Sequence, residues 1–294
     1  MDTKVNTLVI GAGRAGTTSL CDFLSQQPRV CFSTIKEIAY FSISDQYKRG
    51  EDYYHSFFDH YCSEPVVASA DTYLLMDYLA IERIYAYNPQ MKFIIMLRNP
   101  VDRAYSSYNY SVHYGHHKAY PSFLSSIKKE ENIAQESHIV TRNNLGHFYG
   151  SLYYQHLSVW MSKFPKNQFL LIKLDDFIKN RTFVANQLTN FLGTDITIEL
   201  PDSKKLNAHA VPRFKGFEQL LLNRDNLLRK LIRKTTPVFI RNLIFKSKVI
   251  DKLHDINRKE QPYAALTPSE KETAMNYFKS DLEQMKREYG IDLT

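Results

Sequence analysis

A strand-like run over residues 5 to 10 passes directly into Gly11-Ala12-Gly13-Arg14-Ala15-Gly16-Thr17-Thr18-Ser19-Leu20. Residues 17 to 27 then carry Leu20, Phe23 and Leu24 on one helical face, until Pro28 stops the helix. A glycine-rich turn between a strand and a helix leaves a chain few options. Glycines let the backbone fold back so that successive N–H groups face one anion, and the helix that follows adds its positive end. The turn reads as a site for a phosphate-like group.

The rest of the first half keeps alternating short apolar runs with helical patterns, which predicts a parallel sheet covered by helices. Residues 66 to 69 suggest a short strand. Lys92 to Leu97 (KFIIML) form a clearer one, apolar enough for the middle of a sheet. Asn99 and Pro100 then supply a helix cap and a first helical residue for a helix bearing Arg103, Ser106 and Ser107. Leu152, Tyr153, His156, Leu157, Trp160, Met161 and Phe164 recur at helical spacing before another strand at 168 to 172. Thr267-Pro268-Ser269-Glu270 is a capping box for a last helix with Ala274, Phe278, Leu282, Met285 and Tyr289 inward. The expected fold is α/β, three layers with a parallel sheet between helices, in one domain over 1–294.

Composition narrows the setting. With 44% hydrophobic and 23% charged residues in 294, the chain is too apolar for disorder, and no apolar run reaches the roughly 18 residues of a membrane span. The start, MDTKVNTLVIGAG, has no leader pattern, so a cytoplasmic setting is expected. Cys21, Cys31 and Cys62 are odd in number and lack a CxxC pair, which disfavours a disulfide framework or zinc knuckle. The net charge of +7 is concentrated: residues 213–252 hold eleven Lys and Arg against three acids. This basic helical segment is read as a lid or subdomain, suited to an acidic acceptor or to peripheral contact with anionic lipid.

The glycine turn admits three readings. Gly11, Gly13 and Gly16 satisfy G-x-G-x-x-G, and Glu37 lies about where an acid would hold a ribose, as in a dinucleotide-binding oxidoreductase. Arg14 and the two threonines fit that poorly. Gly11 and Gly16 also have the spacing of the nucleotide-triphosphate loop of kinases, but Thr17 occupies the place of its essential lysine. An early cation, two hydroxyls and many N–H groups suit best a shorter anion that needs no metal, such as a 5′-phosphosulfate.

At this point the segment resembles the 5′-phosphosulfate loop of sulfotransferases that use 3′-phosphoadenosine 5′-phosphosulfate (PAPS). Arg98-Asn99-Pro100-Val101-Asp102-Arg103-Ala104-Tyr105-Ser106 is similar to that family's 3′-phosphate motif, R-[DN]-P-x-x-R-x-x-S. Lys36-Glu37-Ile38-Ala39-Tyr40-Phe41 is similar to the K-E-x-H-[FY]-F segment of its heparan-sulfate-type and related bacterial branch. The resemblance implies a P-loop-NTPase-like sulfotransferase fold and transfer of a sulfonate group from PAPS to a hydroxyl or amine, leaving adenosine 3′,5′-bisphosphate (PAP), with no metal. It implies that Arg14 and Thr17 serve the leaving oxygen and sulfonate, that Gly13, Ala15, Gly16 and Thr18 serve the 5′-phosphate, and that Gly11 and Ala12 also belong to the cofactor-binding loop. Arg98 and Ser106, with Arg213 as a weaker candidate, would take the 3′-phosphate, and Glu37 would be the base.

The chain also departs from the family pattern. Ala39 replaces the usual histidine, Ser69-Ala70-Asp71-Thr72-Tyr73-Leu74 lacks the lysine of E-[KA]-[ST]-P-x-Y, and no K-G-R or R-K-G loop appears in the last third. Tyr40, His113 and His117 are the acceptor-side candidates, the histidines also being alternative bases. The acceptor is expected to be a small natural product, a glycolipid or a saccharide, and nucleic acid is not an expected partner.

Overall fold

The computed structural model describes residues 4–114, 122–130, 132–136, 138–196, 210–212, 258–260 and 263–294. Its centre is β1 (Thr7–Gly11), every residue of which is buried. Such a strand needs sheet on both edges and apolar cover on both faces. Parallel pairing with β3 (Val66–Ala70) aligns Thr7 with Ala68, and parallel pairing with β4 (Lys92–Leu97) aligns Thr7 with Lys92. Beyond them, β2 (Val30–Phe32) pairs with β3, and β5 (Phe169–Lys173) pairs with β4. The order is β2-β3-β1-β4-β5, all parallel. The chain leaves β1 toward one edge and later crosses to the other side of it. That reversal opens a crevice at the carboxyl ends of β1 and β4, where ligands bind in open α/β sheets.

The longer helices are α1 (Thr17–Ser25), α2 (Tyr78–Tyr87), α3 (Pro100–Tyr114), α4 (Tyr153–Lys163), α5 (Arg181–Leu192) and α6 (Pro268–Tyr289). On α4 the residues at helical spacing turn inward, and Trp160 and Phe164 meet Phe93 of β4 at ring-centroid distances of 5.2 and 4.7 Å. Phe169 of β5 stacks on Phe93 at 4.8 Å. Lys92 begins β4 with its ammonium turned to the last carbonyls of α5, donating to Phe191 O at 2.8 Å and Leu192 O at 3.2 Å. A cation there complements the negative end of the helix. Asp281 of α6 accepts from the amides of Tyr154 and Gln155 at 3.1 and 3.0 Å, so one helix caps the start of another.

Most predicted elements fall within two residues of their expected bounds. β2, α2 and α5 went unread. β2 has three residues, one of them cysteine, and only its pairing with β3 defines it. A short antiparallel pair, β6 (Ala210–Pro212) with β7 (Arg258–Glu260), lies outside the parallel sheet. The basic segment 213–252 lies outside the described residues. Among the described residues, no helix is long and apolar enough to cross a membrane.

The capping box of α6 forms as its sequence predicts: the Thr267 hydroxyl accepts from Glu270 N at 3.2 Å, and the Glu270 carboxylate accepts from Thr267 N at 2.9 Å. Thr267→Ala should therefore cost about 1 kcal/mol in urea unfolding. No change in the unfolding midpoint would mean that α6 is held by packing alone.

Candidate active site

β1 ends at Gly11 and the chain turns through Ala12 to Gly16 into α1. Gly16 caps the helix at φ 88°, and a Cβ there would also approach Leu174 Cδ1 to 2.6 Å, so a side chain at this position would be strained and would displace Leu174. Arg14 is left-handed as well, at φ 70°. Within the turn, Ala12 N donates to Met96 O at 2.9 Å and Ala15 N to Ala12 O at 3.1 Å. The amides of Gly13, Arg14, Gly16, Thr17 and Thr18 find no acceptor among the described residues, and no side chain caps α1. A nest of unclaimed N–H groups at the start of a helix can hold an anion.

The segment after β4 closes over this turn. The Asn99 side-chain oxygen accepts from the amides of Val101 and Asp102 at 3.1 and 3.2 Å, which starts α3 beside the loop. From Arg98, Nη1 donates to Arg14 O at 3.3 Å. One turn into α3, the buried Arg103 donates Nε to Gly13 O at 2.8 Å and Nη1 to His147 O and Ser151 Oγ at 2.9 and 3.1 Å. Its burial lowers the guanidinium pKa from the ordinary value. Ser106, 4% exposed, accepts from Arg14 Nε at 3.4 Å, and the Arg14 guanidinium lies 4.6 Å from the Tyr110 ring centroid. The two motifs, far apart in sequence, thus form one cationic pocket.

The third wall comes from the segment after β2. Glu37 N donates to Ala70 O at 2.8 Å, which ties the segment to the end of β3, and both Glu37 (φ 60°) and Ala39 (φ 59°) are left-handed. The Glu37 carboxylate accepts from Thr72 Oγ1 at 2.7 Å and keeps 31% of its side chain exposed, so it is partly buried and fixed in direction. Lys36 Nζ donates to Thr17 Oγ1 at 3.3 Å and Thr18 Oγ1 at 3.0 Å, and lies 3.8 Å from Glu37 Oε1. Beneath this wall Asp71 is enclosed, accepting from Ser42 Oγ at 3.0 Å and Tyr73 N at 3.1 Å. Burial, and then the neighbouring Glu37 charge, push its pKa up to about 7.

Gly11 to Thr18, Glu37, Arg98 and Ser106 therefore converge on one crevice. Tyr40 lies elsewhere: it is 3% exposed, stacked on Tyr54 at 4.6 Å, and burial pushes its pKa up to about 12. It is a core aromatic packed beside Phe41 and Tyr47. His113, in the last turn of α3, donates Nδ1–H to Asn109 O at 2.7 Å, and its ring lies 5.3 Å from that of Tyr263. His117 and Arg213 lie outside the described residues. Sequence reasoning assigned no site role to Lys36, Thr72 or Arg103. Arg103 was signalled by its place in the second motif; the reach of Lys36 to the loop hydroxyls had no local signal.

The residues 4–285 match a family model described as "Sulfotransferase domain". Human bifunctional heparan sulfate N-deacetylase/N-sulfotransferase 2 is 30% identical over 202 residues, which cover 63% of this chain and 22% of that protein. Human heparan sulfate glucosamine 3-O-sulfotransferase 6 is 26% identical over 193 residues, covering 63% of this chain and 51% of that protein. The matches thus span only part of the length of these relatives. A crystal structure of a sulfotransferase from Alicyclobacillus acidocaldarius superposes with a TM-score of 0.67 at 22% identity, covering 99% of this chain and 98% of that one, which shows a shared fold.

The enclosed carboxyl of Asp71 sets a pH dependence. Between its ordinary value of 3.8 and about 7, an unfolded chain has released this proton while the folded chain keeps it. The group's contribution to stability therefore falls as pH rises through that window, by up to about 1.4 kcal/mol per unit, and is constant above it. Asp71→Asn should flatten the slope in urea unfolding followed from pH 4 to pH 8; an unchanged slope would mean that Asp71 ionises freely in the fold. Asp71 lies near enough to Glu37 to feel its charge, while the contacts of Arg14, Arg98 and Lys36 join the glycine turn to the walls on either side of it. With those contacts in place and the family match running over nearly the whole length, the chain belongs to the sulfotransferase family.

Proposed function

We propose that this sulfotransferase moves a sulfonate group from PAPS to a hydroxyl or amine of a saccharide acceptor. The observation that carries the reading is the bridge of Arg14 from the glycine turn to Ser106, with Arg98 against the same turn. It joins two anion sites into one pocket, as a nucleotide phosphorylated at both its 3′ and 5′ positions requires. The residues present fit such a donor. The unclaimed amides of Gly13, Arg14, Gly16, Thr17 and Thr18 would hold the 5′-phosphate, and Arg98 with Ser106 would hold the 3′-phosphate. A kinase-like reading lacks support at Thr17, which stands where a triphosphate-splitting loop needs lysine.

When bound, the donor supplies a sulfonate already activated by its bond to phosphate. The protein's part is positioning and the stabilisation of negative charge on the leaving oxygen. Glu37, aimed by Thr72, takes the proton of the attacking acceptor group. The saccharide class is favoured by the relatives, whose names specify heparan sulfate; a glycolipid or a small natural product would offer the same nucleophile.

PAP without magnesium should raise the melting temperature, by linkage worth about 2.7 kcal/mol at a hundredfold excess over its Kd, whereas ATP with magnesium or NAD(P) should not. Stabilisation by either of the latter two alone would reverse the assignment. Glu37→Gln should lower turnover by about 10² and leave PAP affinity nearly intact, as expected for a general base. Turnover equal to wild type would take Glu37 out of the mechanism.

A further inference from the structure

Four cations meet the glycine turn: Arg98 and Arg103 bond to its carbonyls, while Arg14 and Lys36 serve opposite sides of it. The Arg14 guanidinium is engaged on the α3 side, with Nε on the Ser106 hydroxyl and its plane near the Tyr110 ring. Neither contact involves Thr17 or Thr18. The opposite side of the turn is served by Lys36, whose ammonium donates to both threonine hydroxyls and lies 3.8 Å from the carboxylate of Glu37. We propose that Lys36 is a catalytic residue: the cation that meets the transferred sulfonate, while Arg14 belongs chiefly to the 3′-phosphate side. This inference rests on the proposed PAPS donor and adds to it a division of labour between the two cations.

The chemistry suits lysine. Its ammonium carries three donors on a flexible stem, so it can release a threonine hydroxyl and turn a proton toward an incoming oxygen without losing its other contacts. Its stem is anchored: the next residue, Glu37, is pinned to β3 through the bond from its amide to Ala70 O. The ammonium therefore lies between the proposed base and the first turn of α1, where a group passing from the phosphate end to an acceptor beside Glu37 must travel. In the step, a bond forms between the acceptor oxygen or nitrogen and sulfur, and the bond from sulfur to the phosphate oxygen breaks. The electron pair stays on that oxygen, and the acceptor's proton goes to Glu37. Lys36 keeps its proton throughout and offsets the charge on the sulfonate and leaving oxygens.

Equilibrium binding separates this role from a structural one. Titration calorimetry without acceptor would compare PAPS with PAP for wild type, Lys36→Met and Lys36→Arg. Lys36→Met should weaken PAPS by roughly tenfold or more, the loss of one charge-assisted hydrogen bond. PAP, which has no sulfonate, should bind it nearly as it binds wild type, and Lys36→Arg should recover much of the PAPS affinity. An equal loss for both nucleotides would move Lys36 to the 5′-phosphate and overturn the inference, as would undiminished PAPS binding by Lys36→Met. Wild-type protein that bound neither nucleotide would instead overturn the donor reading itself.

Discussion

The site depends on β1 having a parallel neighbour on each side. With β3 and β4 in register on its two edges, the carboxyl ends of three strands lie together, and each delivers one part of the pocket. β1 delivers the glycine turn, β4 delivers Arg98 and the start of α3, and β3 receives the Glu37 amide and carries Thr72 just beyond its end. A shift of one residue in either pairing would reverse the faces of the strand and carry these groups away from one another. The buried apolar surface on both sides of β1 and β4 is therefore what fixes the relative positions of these groups.

The second support is the bond from Arg103 to the Gly13 carbonyl. A buried guanidinium is costly unless its donors are used, and here two carbonyls and a hydroxyl take three of the five. Gly150 lets this happen, because a Cβ at that position would come within 2.8 Å of Arg103 Nη1. The arginine thereby links α3 to the loop and to the segment before α4. Around it the backbone is under tension: Arg14, Glu37 and Ala39 all adopt left-handed conformations that cost non-glycine residues about 1–2 kcal/mol each. Such positions persist only where neighbouring bonds hold them, as the one to Ala70 holds Glu37.

What the sequence disclosed followed how local each signal was. The run KFIIML announced β4 because a strand covered on both faces must be continuously apolar. Asn99-Pro100 and Thr267 to Glu270 announced helix starts, since a cap is made by residues two or three apart. The strand β2 carried no such mark, being too short to alternate. Tyr40 shows the limit of reading a motif as a line: its segment borders the crevice, but the left-handed turn at Ala39 accompanies a ring that lies in the aromatic core. Lys36 is the converse case. Nothing between positions 17 and 36 foretells that this ammonium reaches Thr17 and Thr18, because the contact exists only once β2 has paired and the chain has turned back.

The unclaimed amides of the glycine turn have a practical consequence. Their dipoles are assembled by folding and not by the nucleotide, so a pocket built to take a phosphate there would attract compact oxyanions in general. Inorganic sulfate, phosphate or pyrophosphate in a buffer would enter as rivals for the same place, and the apparent affinity for any nucleotide becomes a property of the solution as much as of the protein.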